Sequence, residues 1–196
     1  GLDVNSEALV VGDLQINGVT VRGTVDSDDT VSTSQAAGSA LAKAAAINDS
    51  TIYTGVRAIV GKTALVGPNA ISAVTLDSTN FITLNGEVIS GFTVQDDDAD
   101  NNLVDAINAV ANRTGVIARL DENLRLVMEA EDGRNIELTT NGLATRLGFA
   151  AGNQVQAGSV TLQSEEAMFL TQSDAGVERL GHGANPAGGE TILGTN

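Results

Sequence analysis

The sequence predicts an α+β fold: antiparallel β-hairpins and small sheets with one crossing helix per repeat. Three observations carry that reading. Asn-Gly pairs at Asn17-Gly18 and Asn85-Gly86 sit between alternating apolar and polar residues, as two-residue hairpins require. Each hairpin leads through an acidic run into a stretch with helical spacing of apolar side chains. The order hairpin, helix, strand occurs twice, so the chain reads as two related β-β-α-β repeats.

Leu14-Gln15-Ile16 and Val19-Thr20-Val21 supply the first hairpin. After Asp26-Ser27-Asp28-Asp29-Thr30 comes an Ala-rich helix over 34–47, with a narrow apolar face of Leu41, Ala44, Ala45 and Ile47 and a cap at Thr33 or Ser34. Thr54-Gly55-Val56-Arg57-Ala58-Ile59-Val60 returns to a β pattern. The second copy opens with Phe81 to Ile89. Asp96-Asp97-Asp98-Ala99-Asp100 then leads into a helix over 101–111, with Leu103, Val104, Ile107 and Val110 on one face. Ile47-Asn48 and Ile107-Asn108 each stand seven residues before a Thr-Gly-Val phrase (54 − 47; 114 − 107), so the two copies keep one register there. Leu124 to Ala130 and Asn135 to Thr139 read as a hairpin turning at Asp132-Gly133, Leu143 to Phe149 as a short helical turn, and Ser159 to Ser164 as a returning strand. Beyond Gln172, Gly, Asn and Pro without periodicity predict a loose tail. The divisions are residues 8–66 for the first repeat, 67–155 for the second, and 156–196 for the returning strand and tail.

Composition narrows function. The 196 residues are 42% hydrophobic, enough for a core. Ten Lys plus Arg against 25 Asp plus Glu give a net charge of −15, which repels nucleic acid and anionic lipid. Neither is expected as a partner. No apolar run reaches the roughly 18 residues of a membrane span. Without Cys there is no disulfide or thiolate metal site. With no Trp, one Tyr and four Phe beside 22 Gly, the composition suits thin sheets packed on aliphatic residues better than an aromatic ligand pocket.

Each candidate site fails on its own counting. Asp96, Asp97, Asp98 and Asp100 are spaced carboxylates, but an EF-hand counted from Asp96 meets Asn101 where Gly is needed and Ile107 where Glu is needed. They are read as a solvated loop that caps the helix, and Asp26, Asp28 and Asp29 likewise. Gly61-Lys62-Thr63 lacks the Gly five places earlier that a phosphate loop requires, because that position is Val56. His182 is the only histidine, and one imidazole makes neither a closed zinc site nor a triad. Glu165-Glu166 point to opposite faces of a strand. Asn48-Asp49-Ser50 and Asn112-Arg113-Thr114 fit a glycosylation triplet on which no site is claimed. No catalytic, cofactor-binding or metal residue is assigned, and no cofactor is expected.

Residues Phe81 to Leu138 resemble the flagellin hook IN motif, through Asp105-Ala106-Ile107-Asn108 and Thr114-Gly115-Val116-Ile117-Ala118. The first copy resembles the flagellin segment preceding it, through Gly38-Ser39-Ala40-Leu41-Ala42-Lys43-Ala44, Ala46-Ile47-Asn48 and Thr54-Gly55-Val56, and Gly158 to Ser164 is also flagellin-like. The resemblance implies the surface-exposed middle of a bacterial flagellin, a secreted, extracellular structural subunit of the flagellar filament serving motility. Its partners would be other flagellin subunits, joined through terminal helical regions absent from this sequence; the isolated fragment is expected to be a monomer. The alternatives are a hook-associated or capping protein domain, or an adhesin-like binding module; an enzyme ranks last. If the segment is an insertion between such ends, Leu9-Val10-Val11 and Val160-Thr161-Leu162 are expected to lie together in one sheet, with the second repeat farthest from the filament axis.

Overall fold

The structure is a computed structural model and describes residues 2–3, 6–180 and 191–193. It has the α+β class read from the sequence: short antiparallel strands in small sheets, with few helices. Two compact units divide the chain. Unit 1 draws on Gly1–Lys62, Asp132–Asn135 and Ala157–Asn196, and unit 2 on Thr63–Glu131 and Ile136–Gln156.

In chain order, unit 1 begins with β1 (Leu2–Asp3), β2 (Leu14–Ile16), β3 (Val19–Thr20), α1 (Ala40–Asn48), the single turn α2 (Thr51–Thr54) and β4 (Val56–Val60). Unit 2 follows with β5 (Thr63–Ala70), β6 (Val74–Leu76), β7 (Ile82–Leu84), β8 (Glu87–Ile89), β9 (Phe92–Val94), α3 (Asn102–Ala109), the turn α4 (Ala111–Thr114), β10 (Ile117–Leu120), β11 (Arg125–Ala130), β12 (Ile136–Thr140) and β13 (Gly152–Gln156). The chain completes unit 1 with β14 (Ser159–Ser164), β15 (Met168–Gln172), α5 (Asp174–Leu180) and β16 (Thr191–Leu193).

Unit 1 holds two antiparallel sheets, β1-β14-β4 and β16-β15-β2-β3. Its core gathers Leu14, Ile16, Ala44, Ile47, Val56, Val160 and Leu170. Unit 2 holds β10-β11-β5, β13-β12-β7-β8 and the pair β6-β9. Its core is a separate cluster built on Ile82, Leu84, Leu103, Ile107, Leu126, Met128 and Leu138. At roughly 25 cal/mol per Å², each fully buried Ile or Leu contributes about 2–3 kcal/mol, so each unit owns the apolar burial that stabilises it.

Several local expectations change. The first helix starts six residues later than its periodicity suggested, because Ser39 rather than Thr33 or Ser34 is the cap; its hydroxyl accepts the Ala42 N–H at 3.1 Å. Its buried residues are Ala40, Ala42, Lys43, Ala44, Ala46 and Ile47, while Leu41 and Ala45 are only half-buried. Small alanines let the helix be covered on more than one side, which blurs a single apolar stripe. The strands flanking Asp132-Gly133 do not form a hairpin: β11 pairs with β10 and β5, and β12 with β7 and β13. Of the residues between them, Asp132–Asn135 belong to unit 1, where Asn135 binds the Ser32 hydroxyl through its N–H at 2.8 Å and the Ser34 and Gln35 carbonyls through its amide at 3.1 Å each. β5 carries Gly67 and Pro68, which hide it from a propensity reading and suit its place at a sheet edge. The strand returning beside β14 is Leu2–Asp3, with Leu2 opposite Val160, rather than Leu9-Val10-Val11. Leu9 is buried instead and donates its N–H to the Thr24 hydroxyl at 2.9 Å. Beyond Gln172, where the sequence has no period, the chain forms α5, and β16 pairs with β15.

Candidate functional site

The polar side chains that do the most in this molecule are asparagines. In each hairpin, Asn and Gly both adopt positive φ, 51° and 79° at Asn17-Gly18 and 45° and 86° at Asn85-Gly86, the backbone of a type I′ turn. The Asn amide is then used twice. Asn17 Nδ2 donates to the Thr54 carbonyl at 2.7 Å, and Asn17 Oδ1 accepts the Phe169 N–H at 2.8 Å. Asn85 Nδ2 donates to the Thr114 carbonyl at 2.8 Å, and Asn85 Oδ1 accepts the Glu137 N–H at 2.8 Å. One side chain thus ties a hairpin to the turn after the helix and to a neighbouring strand.

A second asparagine closes an edge. β4 pairs with β14 on one side only, and the Ala58 N–H and C=O on its other side are both taken by Asn48, through Oδ1 at 2.8 Å and Nδ2 at 3.0 Å. β10 is likewise an edge strand, and Asn108 takes the Ala118 N–H at 2.7 Å and C=O at 3.1 Å. A primary amide offers the donor and acceptor of a peptide group, so each Asn stands in for a missing strand. Aspartate lacks the donor, leucine lacks both groups, and glutamine is one methylene too long. Ile47 and Ile107, the preceding residues, are buried in their cores. Helical geometry sends adjacent side chains about 100° apart, so the Ile-Asn pair fills the core and closes the edge at once.

The turns after the helices also match. Gly55 and Gly115 end them at φ 70° and 72°, and Thr54 and Thr114 accept the Val56 and Val116 N–H groups at 3.1 and 3.2 Å.

The aspartates are occupied locally. Buried Asp98 accepts the Leu103 and Val104 N–H groups at 3.0 Å each and caps α3. Asp96 accepts the Ala73 N–H at 2.7 Å, and Asp100 holds Asn102 at 2.8 Å. Arg22 grips Asp28 with two bonds of 2.8 and 2.9 Å, holding its carboxyl below the usual range. Burial pushes buried Asp29 up, but bonds from the Ser32 and Ser39 hydroxyls and the Val31 and Ser32 backbone outweigh that and leave it lowered. Among the described residues no three His, Asp or Glu side chains are placed to share a metal ion. Gly61-Lys62-Thr63 runs from β4 into β5, with the Gly61 N–H on the Ser159 carbonyl at 2.8 Å, so no helix follows it. Glu165 and Glu166 are exposed between β14 and β15; the Asn48 amide is engaged and Asn112 exposed. His182 lies outside the described residues.

Sequence reading missed the second use of Asn17 and Asn85, whose only signal is Asn rather than Asp before Gly. It also missed Lys43, a fully buried amine on an Ala-rich helix. Lys43 Nζ donates to the Arg179 carbonyl at 2.7 Å, and Arg179 in turn binds Asp13 at 2.6 Å. Burial first, then the Arg179 charge, pushes the amine down to about 7, with Glu7 opposing.

Side chains arranged to hold backbone to backbone define a structural module. Residues 82–132, from the β7-β8 hairpin through α3 to just beyond β11, match the flagellin hook IN motif, and this match together with the relatives below supports reading the chain as a flagellin fragment. It is 35% identical over 136 residues to flagellin A of Helicobacter pylori, covering 68% of this chain and 26% of that protein. It is 37% identical over 115 residues to flagellin A of Helicobacter felis, covering 58% of this chain and 22% of that one. The chain thus spans about a quarter of the length of these curated relatives. No helix among the described residues is long and apolar enough to cross a membrane.

Proposed function

We propose that this chain forms outward-facing units of a flagellar filament subunit, self-associating through parts of a longer polypeptide and exposed outside the cell, with a structural and not a catalytic role. The observation that carries the reading is the hook IN match, which falls on the hairpin, helix and strand held by Asn85 and Asn108. The two units read as copies of one β-β-α-β design, supported by the four matched asparagines, the paired Thr-Gly-Val turns and the 60-residue offset between Asn48 and Asn108 (108 − 48).

Unit 2 is inserted within the sequence of unit 1 and has its own core, so it is expendable for polymerisation. The test is a full-length gene lacking residues 63–131 and 136–156, so that Asp132–Asn135 stays with unit 1, expressed in a strain without its own flagellin. Thinner filaments in electron micrographs are the expected result. Secreted subunit with no filaments would overturn the reading of unit 2 as an outer, dispensable part.

A further inference from the structure

The turn after the helix gives an internal control for what the fold itself demands. α2 and α4 end on the same left-handed glycine, make the same Thr-to-Val bond, and receive the same Asn amide on the Thr carbonyl. Their middle residues therefore correspond one to one: Ile52 and Tyr53 in unit 1, Asn112 and Arg113 in unit 2. Unit 2 is polar there, and Arg113 pairs at 3.0 Å with Glu87, the residue after Asn85-Gly86. After Asn17-Gly18 the residue is Val19. Both members of the ion pair are thus apolar in unit 1.

Folding does not explain the exchange, because Ile52 is 84% and Tyr53 76% exposed. A large Ile side by side with the chain's only Tyr, both in water, is the composition of a contact surface.

We infer that the Ile52–Tyr53 turn is a contact surface for a second copy of this chain, used between neighbouring subunits of an assembled filament. Two arguments choose that occupant. The two side chains offer on the order of 300 Å², against the roughly 800 Å² per partner of a stable free complex, so this patch holds only where other contacts already tether the partner. A filament provides such tethering, since a neighbour held elsewhere acts at high effective concentration. A second copy also brings a charge of −15, and a turn presenting uncharged Ile52 and Tyr53 meets it without adding like charge at the contact. The isolated chain remains a monomer on this account.

This inference rests on the filament reading, and the experiment separates the two. A photoreactive benzophenone amino acid replaces Tyr53 in the full-length flagellin, and filaments and heat-dissociated subunits are irradiated. The expected result is a cross-linked dimer from filaments and none from dissociated subunits. In parallel, Ile52→Asn with Tyr53→Arg, the residues of unit 2, should lower the temperature at which filaments depolymerise by several degrees while leaving the melting of the 196-residue chain unchanged. Filaments that form normally, give no cross-link between subunits and keep the wild-type depolymerisation temperature would overturn the contact surface alone. Failure of the unaltered full-length chain to polymerise would overturn the filament reading and this contact with it.

Discussion

Unit 1 and unit 2 share their polar fastenings and differ in what fills the space between them. Both use an Asn-Gly hairpin, an Ile-Asn pair and a Thr-Gly-Val turn. Helix α3 is amphipathic and buries Leu103 and Ile107, whereas α1 buries four alanines and a lysine beside one large aliphatic residue, Ile47. The comparison teaches that the fastenings set the fold while the packing tolerates two quite different helices. Directional bonds to backbone groups specify geometry that volume-filling residues only need to respect.

The largest effect should come from the core side of the Ile-Asn pair. Ile107→Ala removes a fully buried side chain among Leu84, Leu103 and Leu126, and the expected loss is about 3–4 kcal/mol in chemical denaturation followed by a unit 2 probe. Ile47→Ala sits among alanines that collapse less readily around a cavity, and its cost in unit 1 should be similar or larger. Equal loss in both units from either single change would break the claim of separate cores.

Next comes Asn108→Leu, nearly isosteric but unable to bond Ala118. Leaving a mostly buried N–H and C=O unpaired should cost about 1–3 kcal/mol, and Asn48→Leu should cost the same in unit 1. A difference of more than about 2 kcal/mol between these two would mean that the edges are not equivalent.

Lys43 distinguishes unit 1 by pH. Its folded pKa, about 7, lies below the 10.5 of a free lysine, so between those values the unfolded chain binds more protons than the folded one. Stability of unit 1 should therefore rise from pH 7 toward 10.5, by no more than a few kcal/mol, and be insensitive to this group below 7. Lys43→Met should flatten that slope, and unit 2 should never have shown it. A slope that survives the substitution would assign the titration elsewhere.

The smallest effect is at the surface. Arg113→Ala breaks an exposed pair with Glu87 and should change stability by less than about 1 kcal/mol.

The fold class, both hairpins, the second helix and the Ile-Asn register were legible in the sequence because each depends on residues close together along the chain. Asn-Gly dictates its turn, and Leu103, Ile107 and Val110 announce their helical face. What stayed hidden depends on distant partners. The Asn108 amide is ten residues from Ala118, Asn85 is 52 from Glu137, and Asn135 is about a hundred from Ser34, so no local pattern marks them. β5 was hidden for the opposite reason: Gly67 and Pro68 argue locally against a strand that edge pairing with β11 permits. The absence of an assigned site followed from counting spacings, which shows only that no known pattern is met.

The central claim is that a helix-terminal asparagine closes the free edge of a strand in both units. It is tested most directly by amide hydrogen exchange at Ala58 and Ala118 in the 196-residue chain. If Asn48 and Asn108 hold those N–H groups, both amides should exchange as slowly as paired amides of β4 and β10, and Asn108→Leu should speed exchange at Ala118 by ten-fold or more while leaving Ala58 unchanged. Exchange at Ala58 and Ala118 in the unaltered chain as fast as at an exposed loop amide would contradict it.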